Sequence, residues 1–189
     1  SNALGKLLYF DSVRINLGII QKDTNVLWDL AIHDLSILST FTNLDDIIDV
    51  QAHGAAHYGT HAEVAHLHLQ YKNGFHAHIH VSWLSPVKMR QTILAGTKAM
   101  LTYDDTEPSE KLRIYDAGVD HDSTKPDPFF PKYRAGDIII PKLRQTEALS
   151  VEAAEVLGSI LGNAKARSTG AKGAKILEIL EAADASLNK

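Results

Sequence analysis

A carboxylate and an imidazole stand one helical turn apart early in the chain, at Asp29 and His33. With Ser36 they form a narrow polar stripe on the segment 25–38, whose other sides are almost entirely apolar. At about 100° per residue, the three side chains lie within about 40° of one another. An aspartate in that position can orient the imidazole and raise its basicity, as a general base requires. The alternative is that both side chains brace neighbouring loops, and the spacing alone leaves the two interpretations open.

The segment 25–38 is predicted to be one largely buried helix, capped by one of the residues 23–25. Because burying a carboxylate or an imidazole without partners is costly, the polar stripe should face a partner, water or a ligand. Asp34 lies on a different side of this helix, where bracing a basic residue is its expected role. A strand is predicted before the helix, at 6–17, and it carries Arg14 and Asn16 on one face.

Five histidines occupy one face of the clearest hairpin in the sequence, formed by 63–71 and 75–83. They are His66, His68, His76, His78 and His80. A three-residue loop, 72–74, with Gly74 in the left-handed region pairs Leu67 with Ile79 and keeps both faces uniform. The histidine face is compatible with a zinc or nickel site, with a solvated or subunit-contacting surface, or with pH-sensitive assembly. Glu63 is the one carboxylate on offer there, so no metal site is predicted.

The remaining segments indicate an α+β fold. Short strands are predicted at 47–57, 87–95, 99–103 and 112–115, with Pro86 interrupting the chain before the second of them. Residues 116–140 are expected to be loop-like, and two helices close the chain, one starting at a capping Ser150 and running to 161, the other at 171–187. This order predicts an open-faced, predominantly antiparallel sheet with helices on one face.

Composition excludes several classes of site and partner. The 189 residues include no cysteine, which rules out disulfides, thiolate metal sites and cysteine nucleophiles. The formal net charge of −4 gives no reason to expect nucleic acid or an acidic membrane surface as a partner. No apolar run approaches the roughly 20 residues of a membrane span, and a cytoplasmic setting fits. Residues 1–3 have the look of a cleaved expression-tag scar, which leaves 4–189 as one domain.

The stretch 28–34 (WDLAIHD) resembles the Asp-x-x-x-His signature of the Gfo/Idh/MocA oxidoreductases. The likeness continues at 71–75 (YKNGF), 82–86 (SWLSP), 96–100 (GTKAM), 103–105 (YDD) and 180–187 (LEAADASL). Within that family the pattern is most similar to the nucleotide-sugar 3-dehydrogenases that act on UDP-linked N-acetylglucosaminuronic acid. The resemblance implies an N-terminal Rossmann domain that holds NAD or NADP and a C-terminal sheet domain for substrate and oligomer contacts. This sequence matches only the second.

What the resemblance implies for the intact enzyme is hydride transfer from a sugar carbon to nicotinamide. His33 is then the general base, and Asp29 helps to place the sugar or the cofactor ribose. Arg14 and Asn16 are candidate substrate contacts, although an ordinary solvated strand face has the same pattern. The glycine-rich fingerprint and the family's catalytic lysine are expected in the missing Rossmann half, so this chain alone is expected to bind no cofactor and to be inactive.

The expected partners are a sugar or nucleotide-sugar substrate and further copies of the chain, which meet through the open sheet face. Neither nucleic acid nor a membrane is expected. Two other interpretations stay open. One is a non-catalytic family member that senses ligands or regulates partners, and the other is a histidine-rich metal-binding module.

Overall fold

Eight strands and three α-helices are present in this computed structural model, which describes residues 3–120, 132–144, 146–162 and 165–187. The strands are β1 (Leu7–Leu17), β2 (Ile47–Ala55), β3 (Val64–Tyr71), β4 (His76–Ser82), β5 (Leu84–Gly96), β6 (Met100–Asp104), β7 (Leu112–Asp120) and β8 (Lys132–Ile139). The helices are α1 (Ile32–Leu38), α2 (Ala148–Ile160) and α3 (Gly170–Leu187), with a π-helical turn at Leu27–Ala31 and a 3-10 turn at Leu44–Asp46. No helix in these ranges is both long enough and apolar enough to span a bilayer.

The strands form one mixed sheet in the order β2-β3-β4-β1-β5-β6-β7-β8. All neighbours are antiparallel except β1 and β4, which run parallel. The first strand of the chain therefore lies in the middle of the sheet, between the hairpin β3–β4 and the meander β5–β8. The predicted α+β class and predominantly antiparallel sheet are confirmed.

The β3–β4 hairpin has the predicted register. Leu67 pairs with Ile79 and His66 with His80, and Gly74 has a φ of +82° in the three-residue loop. Because side chains alternate along a strand, this register puts the apolar residues of both strands on one face, apart from Val64 at the start of β3. Leu67 and Ile79 are fully buried there.

That apolar face is covered by the π-helical turn, α1 and α3. Leu27, Ala31, Leu35 and Leu38 are all fully buried, as predicted for a helix that is apolar on most sides. From α3, Ile176, Ile179, Leu180 and Ala183 join the same core cluster. Burying one leucine side chain contributes about 1.5–3 kcal/mol to the stability of the fold, so these contacts stabilise the packing of α1 on the sheet.

Two predicted boundaries are wrong. Residues 116–140 are not simply a loop, because β7 continues to Asp120 and β8 pairs with it from Lys132; residues 121–131 lie outside the described part of the chain. Pro86 does not precede β5 but lies within it, where the β1–β5 register shifts between Ile15 and Leu17. A proline is tolerated at such an irregularity because no ladder hydrogen bond is required from it.

The predicted helical arrangement also needs correction at α2. Its first turn is capped by the Glu147 carboxylate, which accepts from the backbone N–H groups of Leu149 and Ser150, rather than by Ser150. None of the residues of α2 is buried. The cover of the sheet therefore comes from α1, its π-helical turn and α3, and not from both closing helices.

Candidate functional site

The helix that carries His33 is fixed to the sheet by a buried ion pair. On β1, Arg14 donates from Nε and Nη2 to the two carboxylate oxygens of Asp34, at 2.8 and 3.1 Å. The Ser12 hydroxyl donates to the same carboxylate at 2.6 Å, and Asp34 is only 1% exposed. The expectation that Asp34 braces a basic residue is confirmed, and Arg14 is that residue.

The start of the helix is held in a second way. The side-chain oxygen of Asn25 accepts from the backbone N–H of Leu27 at 3.0 Å, which caps the first turn. The side-chain amide of Asn25 also donates to Asp184 on α3. Position and orientation of the segment are thus set from both β1 and α3.

Asp29 lies in the π-helical turn. This conformation is rare in proteins overall, but where it does occur it is often at a functional site. Its carboxylate accepts a 2.7 Å hydrogen bond from the indole N–H of Trp83 at the end of the hairpin. Among the described residues, no hydrogen bond joins Asp29 to His33. Asp29 therefore does not orient the imidazole of His33 directly, in contrast to the prediction from the spacing. Its carboxylate instead accepts the hydrogen bond from Trp83.

A polar cavity of about 260 Å³ lies between α1 and the strands β1, β5 and β6. Its lining consists of Arg14, His33, Ser36, Ile37, Arg90, Thr92, Tyr103 and Asp105. The imidazole of His33 is exposed and makes no hydrogen bond or ion pair with another residue of the described ranges. It is therefore accessible to a molecule that enters the cavity.

The far wall of the cavity is a hydrogen-bonded cluster around Asp105. Tyr103 donates its hydroxyl to Asp105 at 3.0 Å, and Arg90 Nη1 and Lys111 Nζ each lie 3.4 Å from the carboxylate. Burial, together with the hydrogen bond to Asp105 and its negative charge, raises the pKa of Tyr103 to about 12. Burial alone would raise the pKa of Asp105, but the bond from Tyr103 and the charge of Lys111 bring it below its usual range. At neutral pH the wall therefore presents a neutral phenol and an ionised carboxylate.

The structure brings two of the four sequence-predicted site residues into this cavity, His33 and Arg14. Asp29 and Asn16 are not part of its lining. The side chains of Asn16 and Trp83 both lie against the backbone of Gly18. A Cβ atom added to Gly18 would be 3.1 Å from Asn16 Nδ2 and 3.0 Å from Trp83. Asp29 and Asn16 are thus grouped near Trp83 instead.

Sequence reasoning missed Arg90, Tyr103 and Asp105 as cavity residues. One signal was present: Arg90 and Thr92 share a face of β5 with the buried Leu94, so the polar end of that face had to meet something other than the core. The signal was ambiguous because the pairing of β5 with β1 was not evident from either strand alone.

The histidines of the hairpin lie on the opposite, open face of the sheet. The rings of His66 and His80 stack with centroids 4.3 Å apart, and His76 Nδ1 lies 3.3 Å from His68 Nε2. Partial burial and the neighbouring imidazoles lower the pKa of His66, His68 and His80. We call these three residues the low-pKa histidines. Within the described ranges, no group of three or more potential ligands is arranged to hold a metal ion.

Comparison with known proteins places this arrangement in a known fold. Residues 19–102 match the family model of the GFO/IDH/MocA C-terminal domain. This matched segment contains α1 and His33. No curated protein matches the chain. The resemblance found in the sequence is confirmed by the family model, and the solved structures below share the fold.

Three solved structures illustrate the similarity. UDP-N-acetylglucosamine 3-dehydrogenase GnnA from Acidithiobacillus ferrooxidans is 22% identical, with a TM-score of 0.76 over 97% of this chain and 55% of that one. The WlbA dehydrogenase from Bordetella pertussis, in complex with NADH and UDP-GlcNAcA, is 13% identical, with a TM-score of 0.70 over 99% and 55% of the two chains. Levoglucosan dehydrogenase, in complex with NADH and L-sorbose, is 12% identical, with a TM-score of 0.73 over 99% and 58%. The chain thus spans little more than half the length of the structures that it resembles.

Proposed function

We propose that this chain, which has the fold of the GFO/IDH/MocA C-terminal domain, is the substrate and oligomerisation domain of an NAD(P)-dependent sugar or nucleotide-sugar dehydrogenase. The observation that carries the proposal is the position of His33. Its exposed imidazole lines a polar cavity, and it lies on a helix inside the segment that matches the family model. The cofactor domain belongs to the part of the intact protein that this sequence does not include.

In the proposed reaction His33 accepts the proton of a sugar hydroxyl while the hydrogen on the same carbon leaves as hydride. The nicotinamide supplies the hydride acceptor, and the sugar carbon becomes a ketone. The helix must not shift during this step, since a general base has to stay within hydrogen-bond reach of its proton. The Arg14–Asp34 pair and the Asn25 cap meet that requirement.

The other polar groups fit a polyhydroxylated ligand. Ser36, Thr92 and Tyr103 offer hydroxyl groups to the cavity, and Arg14 lines it as a proposed substrate contact. Asp29 and Asn16, near Trp83, are proposed to meet the part of the sugar or cofactor ribose that extends beyond the cavity. The exposed imidazole of His33 is accessible to a cofactor held by another domain.

We further propose that copies of the protein assemble through the open face of the sheet. In support, the elements of the described ranges that cover the sheet lie on the other face, and the open face bears the stacked histidines. Sedimentation of the protein at high concentration tests this. A monomer under those conditions contradicts the assembly but leaves the dehydrogenase proposal intact.

The dehydrogenase proposal is tested with the intact protein and its upstream sequence. We expect a G-x-G-x-x-G strand–helix opening and a Glu-Lys-Pro motif upstream, and reduction of NAD or NADP in the presence of a sugar or nucleotide-sugar. Binding of such a sugar without any cofactor reduction assigns the protein to ligand sensing and overturns the catalytic proposal. Absence of the upstream motifs does the same.

A further inference from the structure

Six histidines stand side by side on three neighbouring strands, on the open face of the sheet. Across β2, β3 and β4, His66 is the register partner of both His53 and His80, and His68 is the partner of His78. The His66 ring stacks on the rings of His80 and His78, with centroids 4.3 and 5.6 Å apart. We call the six residues the histidine ladder: His53, His66, His68, His76, His78 and His80.

Few charged groups face the ladder from the strands on either side of it. From β2, the Asp49 carboxylate does so, and it accepts a 2.7 Å hydrogen bond from the Gln51 side chain. From β1, Asp11 and Tyr9 are the register partners of two ladder residues on β4. These two carboxylates and one phenol are the other titratable groups that the adjacent strands, as described, turn toward the ladder. The surface therefore carries little charge while the imidazoles are neutral, and a large excess of positive charge once they are protonated.

A surface of this chemistry fits an identical surface. A neutral imidazole has one N–H donor and one acceptor nitrogen, so two such faces can exchange hydrogen bonds without opposing like charges. A cluster of lysines or of carboxylates would instead repel its copy. Half-buried apolar side chains on β1 and β5, among them Val13, Ile15 and Ile93, extend the uncharged surface beside the ladder. The partner that this face fits is a second copy of the chain, since a two-fold contact brings the same patch of each copy together.

We propose that the histidine ladder forms part of the contact between two copies of the chain and makes that contact proton-dependent, so that the copies assemble at neutral pH and separate on acidification. This inference rests on the assembly proposed above. A second copy removes water from the imidazoles, and burying a cation costs far more than burying a neutral ring. The separated copies therefore bind more protons than the assembled ones, and by linkage a fall in pH favours separation. The lowered pKa of the low-pKa histidines shows that partial burial and neighbouring rings already disfavour their charged form on the uncovered face.

Sedimentation velocity of the chain at about pH 7.5 and about pH 5.5 measures this dependence. We expect the dissociation constant to rise at least about 10-fold on acidification, the change produced by net uptake of about one proton over one pH unit below the histidine pKa. His66→Gln/His80→Gln removes the most closely stacked pair and should reduce the rise. The matched control, His57→Gln/His61→Gln, removes two histidines from the loop between β2 and β3 and should keep the wild-type rise. Circular dichroism at each pH distinguishes separation from unfolding.

A second measurement needs no variant. Dilution of the wild-type assembly at about pH 6.5 in a weakly buffered indicator solution should be accompanied by proton uptake, and separation without uptake overturns the inference. An assembly that is equally strong or stronger at about pH 5.5 overturns the proton dependence but leaves the assembly itself intact. A monomer at both pH values overturns both. Loss of the folded circular dichroism signal together with the assembly also overturns the inference, because the imidazoles would then act on the fold. The dehydrogenase proposal is independent of all these results.

Discussion

The Arg14–Asp34 pair provides the sharpest test of how the domain holds His33 in place. The substitution Arg14→Met removes the guanidinium but keeps a side chain of comparable length. It leaves the Asp34 carboxylate at 1% exposure with one remaining side-chain donor, the Ser12 hydroxyl at 2.6 Å. Two hydrogen bonds, at 2.8 and 3.1 Å, are lost from an anion that water cannot readily reach.

Removing one partner of a buried ion pair costs about 3–5 kcal/mol, because the other charge stays buried without compensation. We therefore expect Arg14→Met to lower the free energy of unfolding by about that amount. The double variant Arg14→Met/Asp34→Leu leaves no charge behind and should recover most of the loss. Such recovery distinguishes a desolvation penalty from lost packing.

Urea denaturation followed by tryptophan fluorescence measures these differences, with the slope checked for two-state behaviour. The control is Arg113→Met, whose exposed contact with Glu110 should contribute little that is measurable. Two results would refute the reasoning: an Arg14→Met variant as stable as the control, or a double variant no more stable than the single one. Either would show that the pair does not hold α1 on β1.

Three further predictions concern the hairpin and its end. Gly74→Ala should cost about 1–2 kcal/mol in urea denaturation, since φ is +82° and no neighbouring atom offers a compensating contact; a more stable variant contradicts this. Trp83→Phe removes the donor to Asp29 and should cost about 1–3 kcal/mol, whereas Trp28→Phe, whose indole has no acceptor in the described ranges, should cost less. The pKa of each low-pKa histidine is lower in the folded domain than in the unfolded chain, so the unfolded chain binds more protons as the pH falls below about 6.5. The free energy of unfolding should therefore fall as the pH is lowered from about 6.5 through the lowered pKa values of these histidines. Replacing all three with glutamine should reduce this fall. A triple variant with the same pH dependence as wild type would contradict the prediction.

The hairpin shows what local pattern can establish. Side-chain alternation has a period of two, so a one-residue slip would have exchanged leucine for histidine on the buried face. Only the loop with a left-handed Gly74 avoids that exchange, and the structure has this loop. Asp34 was equally accessible to reasoning, because a carboxylate on an apolar helix must have a partner.

The cavity illustrates what local pattern does not contain. Arg14 and Arg90 lie 76 positions apart in the sequence and meet only because β5 pairs with β1. The extension of β7 and its pairing with β8 likewise depend on a long-range partner that no short window reveals. The π-helical turn at Asp29 was missed for a different reason, since its apolar spacing resembles that of an α-helix over so few residues.

The most direct test of the central claim is the effect of His33→Ala on the intact protein. Since a positioned general base contributes about 10²–10⁴-fold, turnover of the sugar or nucleotide-sugar should fall by that factor, while NAD(P) binding is retained. Added imidazole should restore part of the activity, and His61→Ala, which alters a histidine outside the cavity lining, should have little effect. Near-normal turnover of His33→Ala would contradict the assignment of His33 as the base.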